Sequence, residues 1–254
     1  TNFGYKSSKT GFSIGSGFEF YDDLYWNTGI SSYVEKLDTD ATASTSMKKQ
    51  EGSYFDTFFN QTFSYDKRNQ KFKTSDGYIS RFTQNIPLIS DSYTLTNAYD
   101  YKIYNEWLNE NIFSIGFFGK STNSLSGKDV KLSDRLYLPQ SKLRGFESGK
   151  IGPKDGADFI GGNYAASINV ATSLTQILPN SQNTNFSIFF DAANVWGVDY
   201  NSTLKDENKI RSSVGIALDF FTPIGPLNFS LSEPITKGKN DITESFRFNL
   251  GTTF

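Results

Sequence analysis

The sequence predicts an all-β fold, an antiparallel up-and-down transmembrane β-barrel, from its composition, its residue alternation and its connection lengths. Aromatic residues make up 16% of the 254 positions, while hydrophobic residues of all kinds reach only 37%. A disordered chain would have fewer aromatics, and a soluble core would have more aliphatic side chains. Abundant aromatics with many Ser, Thr and Asn are typical of aromatic girdles outside and a polar lumen inside. No apolar run approaches the roughly 18 residues of a membrane helix.

Apolar residues alternate with small or polar residues, most regularly in the C-terminal part. Val214 and Ile216 share one parity, and Arg211 and Ser213 share the other. Because successive side chains of a strand point to opposite faces, one face is expected to meet lipid and the other to line a lumen. The same pattern predicts eleven strands, near 11–21, 24–36, 54–66, 77–89, 94–108, 112–120, 163–176, 185–195, 209–221, 226–234 and 243–254.

The connections between these strands fall into two groups. Those near 21–24, 108–111 and 222–225 are tight, those near 37–53, 121–162 and 196–208 are long, and 66–77 is intermediate. Short turns at one end and long loops at the other are typical of outer-membrane barrels. The first and eleventh strands of a meander run the same way, so they are expected not to form a regular antiparallel ladder. Either one strand is miscounted or further strands precede Thr1, since bacterial single-chain barrels have even counts.

The composition excludes most catalytic chemistry. The chain has no cysteine and no histidine, which removes thiol nucleophiles, the usual zinc ligands and Ser–His or Cys–His pairs. Paired-carboxylate or Ser–Lys chemistry stays open, but no motif supports either. A net charge of -2 gives no case for nucleic acid. We therefore expect no enzymatic activity, no metal and no cofactor.

Several segments resemble a known family. The motif "LRGF" at 143–146, followed by "IGP" at 151–153, resembles the sixth extracellular loop of the BamA family of outer-membrane protein assembly factors. Segments at 63–82, 161–163, 189–196, 213–235 and 246–254 are similar to that family in matching order. The loop motif alone is shared with TamA and with two-partner secretion transporters. The resemblance implies a sixteen-stranded barrel behind periplasmic POTRA domains. Residues 1–254 would then be its C-terminal portion, with the sixth loop at about 121–162.

The resemblance also implies a site for the loop. Its motif residues are Leu143, Arg144, Gly145, Phe146, Ile151, Gly152 and Pro153. Arg144 is expected to enter the lumen and to pair with Asp191, which points inward by parity; without the family, a surface arginine would be the simpler interpretation. The family also tends to place a glutamate on the following strand, but the inward position here is near Ala171. Arg144 would then rely on Asp191 alone or recruit Asp219.

The last strand carries a second implied site, formed by Phe246, Phe248, Leu250, Gly251 and Phe254. Alternating hydrophobics with a terminal aromatic resemble the sorting signal of outer-membrane barrels, and Gly251 lies where the family strand bends away from the first strand. The unpaired N–H and C=O groups of such an edge can template an incoming strand. The implied function is insertion and folding of β-barrel proteins through a lateral gate between the first and last strands.

The implied partners are the outer-membrane bilayer, unfolded β-barrel clients and accessory lipoproteins bound through POTRA domains. The implied location is the outer membrane of a Gram-negative bacterium, as an integral protein. A two-partner-secretion or TamA-type translocation barrel is the main alternative. A barrel protease or lipase is disfavoured by the absence of histidine, and a passive porin would leave the loop motif unexplained.

Overall fold

The computed structural model describes residues 4–71, 73–107, 110–177, 183–199, 204–222 and 225–250. Eleven strands form one antiparallel sheet in the order β1 to β6 and then β9 to β13, and β7 and β8 form a two-stranded ribbon inside the long loop. The strands are β1 Tyr5–Tyr21, β2 Leu24–Thr39, β3 Gly52–Asp66, β4 Gly77–Ser90, β5 Thr94–Trp107, β6 Asn111–Ser124, β7 Lys154–Asp155, β8 Asp158–Phe159, β9 Tyr164–Ser173, β10 Thr184–Trp196, β11 Arg211–Thr222, β12 Gly225–Thr236 and β13 Phe246–Leu250. The predicted all-β fold is therefore confirmed.

Each of the eleven predicted strands has a counterpart, and the differences lie at the ends. β1 begins at Tyr5 rather than near 11, and β6 runs on to Ser124 rather than 120. The predicted last strand at 243–254 begins at Phe246, and its residues 251–254 lie outside the described residues. One short helix, α1 (Thr45–Lys48), is capped by the Ser44 hydroxyl, which accepts a hydrogen bond from the Met47 amide. No helix among the described residues is long and apolar enough to cross a membrane.

The two faces of the C-terminal strands follow the predicted alternation. Val214 and Ile216 of β11 are exposed on the outer face, whereas Arg211 and Ser213 are buried on the inner face. Adjacent strands in an antiparallel meander are joined at alternate ends, so the long connections at 40–51, 125–163 and 197–210 share one end of the sheet. The tight connections predicted near 21–24, 108–111 and 222–225 share the other end, and so does the intermediate turn after Asp66. The short connection at 91–93 is the exception, because it lies at the end of the long loops.

The outer face also carries a polar ladder, which the alternation did not predict. Gln61 Nε2 donates to Gln84 Oε1 at 2.9 Å, and Gln84 Nε2 donates to Asn97 Oδ1 at 2.7 Å. Each of the three lies two residues from an exposed or half-buried aromatic on the same strand face; these aromatics are Phe63, Phe82 and Tyr99. These two hydrogen bonds link the amides across β3, β4 and β5, which lowers the cost of placing them towards lipid.

The long loop between β6 and β9, residues 125–163, packs against the inner face of the sheet. Its side chains Leu143, Phe146 and Ile151 form a buried cluster with Ala193 and Val195 of β10. A second cluster joins Leu132 and Ile160 of the loop to Leu37 of β2 and Met47 of α1. The loop therefore occupies the lumen instead of extending into solvent.

The two ends of the sheet are edges in the described part of the chain. β1 and β13 are the terminal strands of the order, and the described residues contain no ladder between them. Nearly all of β1 is exposed on both faces. An edge strand presents a row of N–H and C=O groups that can pair with another chain.

The ladder gives a test of the outer face. Gln84→Leu should lower the free energy of unfolding by about 1–2 kcal/mol, because it leaves Gln61 and Asn97 facing lipid without their partner. Changing all three residues to leucine should restore stability or increase it. The urea midpoint of unfolding in phospholipid vesicles measures both, and a triple variant weaker than Gln84→Leu would contradict the assignment.

Candidate functional site

Arg144 and Asp191 form a two-pronged ion pair between the loop and the wall. Arg144 Nε lies 2.7 Å from Asp191 Oδ2, and Nη2 lies 2.7 Å from Oδ1. The Arg144 backbone N–H also donates to Oδ2, at 3.1 Å. Asp191 is fully buried and Arg144 is 7% exposed. Charge-assisted hydrogen bonds in this fork geometry fix the orientation of the guanidinium as well as its distance. The loop is therefore held in one position on β10.

A neutral amide, Asn169, lies beside this pair, in a wall where the resembled family tends to add a second acid. Asn169 lies opposite Asp191 in the β9–β10 register, and its Nδ2 donates to Asp191 Oδ1 at 2.8 Å and to the Lys142 carbonyl at 3.0 Å. Ala171 lies opposite Phe189, whose ring centroid is 3.3 Å from the guanidinium carbon of Arg144. The wall therefore meets the arginine with one carboxylate, one amide and one aromatic face.

Of the two expected alternatives, reliance of Arg144 on Asp191 fits the hydrogen bonds of this structure better than recruitment of Asp219. Within the described part of the chain, Asp219 accepts hydrogen bonds from Asn185 and Asn228 and none from Arg144. The fork of Arg144 is already engaged by both oxygens of Asp191. The amides of Asn185 and Asn228 thus stabilise Asp219 as a separate polar group of the wall.

Glycine is required where the motif backbone approaches the wall. Gly145 has φ +88°, and a Cβ there would lie 3.1 Å from the Cβ of Ser213. Gly152 has φ +90°, and a Cβ there would lie 3.1 Å from both the Cβ and the carbonyl oxygen of Val195. Both conformations favour glycine. Ser213 Oγ donates to the Arg144 carbonyl, so the close approach also satisfies a buried backbone group.

The other predicted motif residues line the same contact. Leu143, Phe146 and Ile151 are buried in the apolar cluster against β10, and Pro153 is buried next to Gly152. The structure thus brings the seven motif residues and Asp191 together on one inner surface.

A second charged anchor was missed by sequence reasoning. Lys131, near the start of the loop, lies 2.7 Å from Glu35 of β2 and 2.8 Å from Asp56 of β3. Both carboxylate side chains are fully buried, and Lys131 is 3% exposed. Asp134 lies 3.7 Å from Lys131, and burial raises the pKa of the Asp134 carboxyl. Two acids of inward parity on adjacent strands were the available signal, but nothing in the sequence pointed to their lysine.

The predicted residues of the last strand lie apart from Asp191, on the outer face. Phe246, Phe248 and Leu250 are all at least half exposed. Gly251 and Phe254 lie outside the described residues. Arg247, between the two exposed phenylalanines, is buried and donates to the Phe146 carbonyl. The last strand therefore presents apolar side chains outward and one arginine to the loop motif.

Comparison with known protein families agrees with this architecture. The Omp85 superfamily domain matches residues 1–254. The chain belongs to the Omp85 superfamily. The match covers both the sheet and the long loop, and with the relatives below it confirms the resemblance to BamA on which the sequence interpretation drew.

Relatives of this Omp85 chain include bacterial and eukaryotic proteins. The outer membrane protein assembly factor BamA of Neorickettsia risticii is 24% identical over 98% of this chain and 34% of its own length. BamA of Neisseria meningitidis is 32% identical over 44% of this chain and 17% of its own length. The sorting assembly machinery 50 kDa subunit of Saccharomyces cerevisiae is 26% identical over 83% of this chain and 46% of its own length.

A solved structure shares the fold. The crystal structure of BamA from Haemophilus ducreyi lacking POTRA domains 1–3 matches with a TM-score of 0.83 at 25% identity, over 96% of this Omp85 chain and 54% of that chain. The likeness confirms an outer-membrane β-barrel. The chain spans about a third of the Neorickettsia risticii relative's length and about half of the solved chain. These relatives are named as assembly proteins, in agreement with an expected lack of enzymatic activity.

The Arg144–Asp191 pair in this Omp85 chain predicts a loop that can be released. Asp191→Ala should leave the guanidinium buried without a carboxylate, at a cost of about 3 kcal/mol in a partly wet lumen. Trypsin added from outside should then cut after Lys142 or Arg144. Asp100→Ala, which removes only the half-exposed partner of Lys142, is the matched control and should change protection little. Equal protection of both variants would contradict the role of Asp191.

The Lys131 cluster predicts an independent hold on the loop. Lys131→Met should destabilise the protein by about 3–5 kcal/mol, because Glu35 and Asp56 would stay buried without a cation. Adding Glu35→Gln and Asp56→Asn to that variant should recover part of the loss. The urea midpoint in vesicles is the measurement, with Lys128→Met, at an exposed neighbour, as the control. A Lys131→Met midpoint equal to the control's would show that the cluster does not hold the loop.

Proposed function

We propose that this chain is the C-terminal part of the barrel of an outer-membrane protein assembly factor that inserts and folds β-barrel proteins at its last strand. The observation that carries the proposal is the binding of the long loop to the inner face of the sheet. The loop at 125–163 is bound to the inner wall by two apolar clusters and by the buried ion pairs of Arg144 and Lys131. A loop held on the inner face leaves less room for a client there, which favours the edge of the sheet as the place where a client binds.

The last strand has the properties that such an edge needs. β13 pairs with β12 from Phe246 to Leu250, and its other side forms no ladder among the described residues. An unpaired edge can add a client strand through main-chain hydrogen bonds. The exposed side chains of Phe246 and Phe248 would lie beside the apolar outer face of the client strand, so that this face would enter the bilayer directly. Hydrogen bonding and lipid burial of the client would drive the reaction without covalent chemistry.

The lateral gate itself is part of the proposal. In a sixteen-stranded barrel the first strand would precede Thr1 and would meet β13 in a weak seam. Gly251 would let the end of the last strand bend away from that seam, since glycine weakens a strand and permits a kink. Phe254 would complete the terminal aromatic signal.

The proposed partners follow from the same assignment. They are the outer-membrane bilayer around the aromatic face, unfolded β-barrel clients at the edge, and accessory lipoproteins bound through POTRA domains outside this chain. A Gram-negative outer membrane is the proposed location. A fungal relative means that membership of the superfamily alone does not select that compartment.

A translocation barrel of the two-partner-secretion or TamA type is the second candidate. The shared loop motif favours it as much as it favours assembly. Such a barrel would pass its client through the lumen, so the two candidates place the client on different faces of the same sheet.

A photo-cross-linking amino acid can therefore separate them. Placed at Phe248 of the full-length protein in membranes, it should capture a barrel client during assembly. The same reagent at Ile216, which is exposed on a central strand, should capture lipid only. Capture from Arg81 instead, whose side chain faces the lumen because Phe82 faces out, would favour translocation and overturn the assembly proposal.

A further inference from the structure

The loop motif is bonded to the connection that leads into the last strand. The Glu147 amide donates to the Ile242 carbonyl at 2.9 Å, and the Ile242 amide donates to the Lys150 carbonyl at 3.1 Å. The Glu244 amide donates to the Gly145 carbonyl at 3.1 Å. These bonds form a short ladder between the lumen loop and the β12–β13 connection, so the two segments share one hydrogen-bonded surface.

Arg247 extends that surface onto the last strand itself. Arg247 is only 6% exposed, whereas its neighbours Phe246 and Phe248 are at least half exposed. The guanidinium Nη2 donates to the Phe146 carbonyl, and Nη1 donates to the Gln140 carbonyl at 3.4 Å. Nε and Nη2 also reach Glu244, at 2.9 and 2.6 Å. The arginine thus ties β13 to the backbone of the motif, with Glu244 neutralising its charge.

The motif is consequently bound to three strands in different ways. Arg144 is bound to Asp191 of β10, and the Arg144 carbonyl accepts a hydrogen bond from Ser213 of β11. Both of those strands lie inside the sheet and keep two neighbours each. β13 has only β12 beside it in the described part of the chain. The bonds of Arg247 to the Phe146 and Gln140 carbonyls must therefore break if β13 moves away from the loop while the loop stays in place.

We propose that Arg247 is a positioning residue that couples the lumen loop to the last strand, so that loop release and edge opening favour each other. The bonds themselves are independent of any client, and only their use in assembly rests on the proposed function. Coupling between two sites is reciprocal in free energy. Releasing the loop should loosen β13, and loosening β13 should release the loop.

A double-mutant cycle with hydrogen exchange tests this coupling in the full-length protein in vesicles. Asp191→Ala should raise the exchange rate of amides at 246–250 by about tenfold, because local opening sets that rate. In an Arg247→Ala background the same substitution should raise it by about threefold or less, since contacting residues of one network are not additive. Independent effects that multiply would mean that Arg247 only stabilises its own strand, and would overturn the proposal.

Three comparisons keep the result decisive. If Arg247→Ala does not fold, Arg247→Lys keeps the pairing with Glu244 but lacks the planar fork that reaches two carbonyls, and it should show the same reduced coupling. Arg81→Ala removes an exposed arginine of β4 and should leave the tenfold effect intact. A client-assembly assay on the same membranes tests the proposed function separately, because loss of assembly with normal coupling, or the reverse, identifies which of the two inferences fails.

Discussion

The buried pairing of Arg144 with Asp191 is the interaction on which the architecture of the site depends. Neither Asp191 of the wall nor Arg144 of the loop can stay buried without the other, since an unpaired buried ion costs several kcal/mol. The Arg144 guanidinium binds both carboxylate oxygens of Asp191, and Asn169 Nδ2 donates a further hydrogen bond to Asp191 Oδ1. Phe189 covers the face of the guanidinium. This geometry allows one placement of the motif, and the close approach at Gly145 follows from it.

One ion pair cannot by itself order a loop of this length, because fixing each backbone residue costs about 1–2 kcal/mol of conformational entropy. The structure distributes the stabilisation along the chain. Lys131 holds the beginning of the loop against β2 and β3, and Arg144 holds its centre against β10. Arg135 binds Asp199 and also Asn163, where the loop returns to the sheet. The apolar clusters fill the space between these anchors. The pair at Asp191 fixes the position of the motif, and the other contacts stabilise the rest of the loop.

Alternation predicted the faces of the strands well but could not supply their register. It placed Asp191 inward correctly, yet directed attention to Ala171, when the residue opposite Asp191 is Asn169, two positions away on the same face. The outward amide ladder was not predicted, although parity places each of its three amides on the same face as an aromatic two residues away. Lys131 lies in an irregular loop without periodicity, and its two acids come from distant strands. Such contacts depend on how the loop folds back, which no local pattern contains.

Arg247 links the two halves of the site through hydrogen bonds from β13 to the long loop. When a client strand adds to an edge, main-chain bonds to water or to a neighbour are replaced by bonds to the client, so the net change per bond is only about 1 kcal/mol. A near-balanced exchange is sensitive to a few additional contacts. The bonds from Arg247 to the Phe146 and Gln140 carbonyls are such contacts, since they join the loop to β13 in its place beside β12. Under the proposed coupling, the loop on the inner face would therefore also set how readily the edge opens.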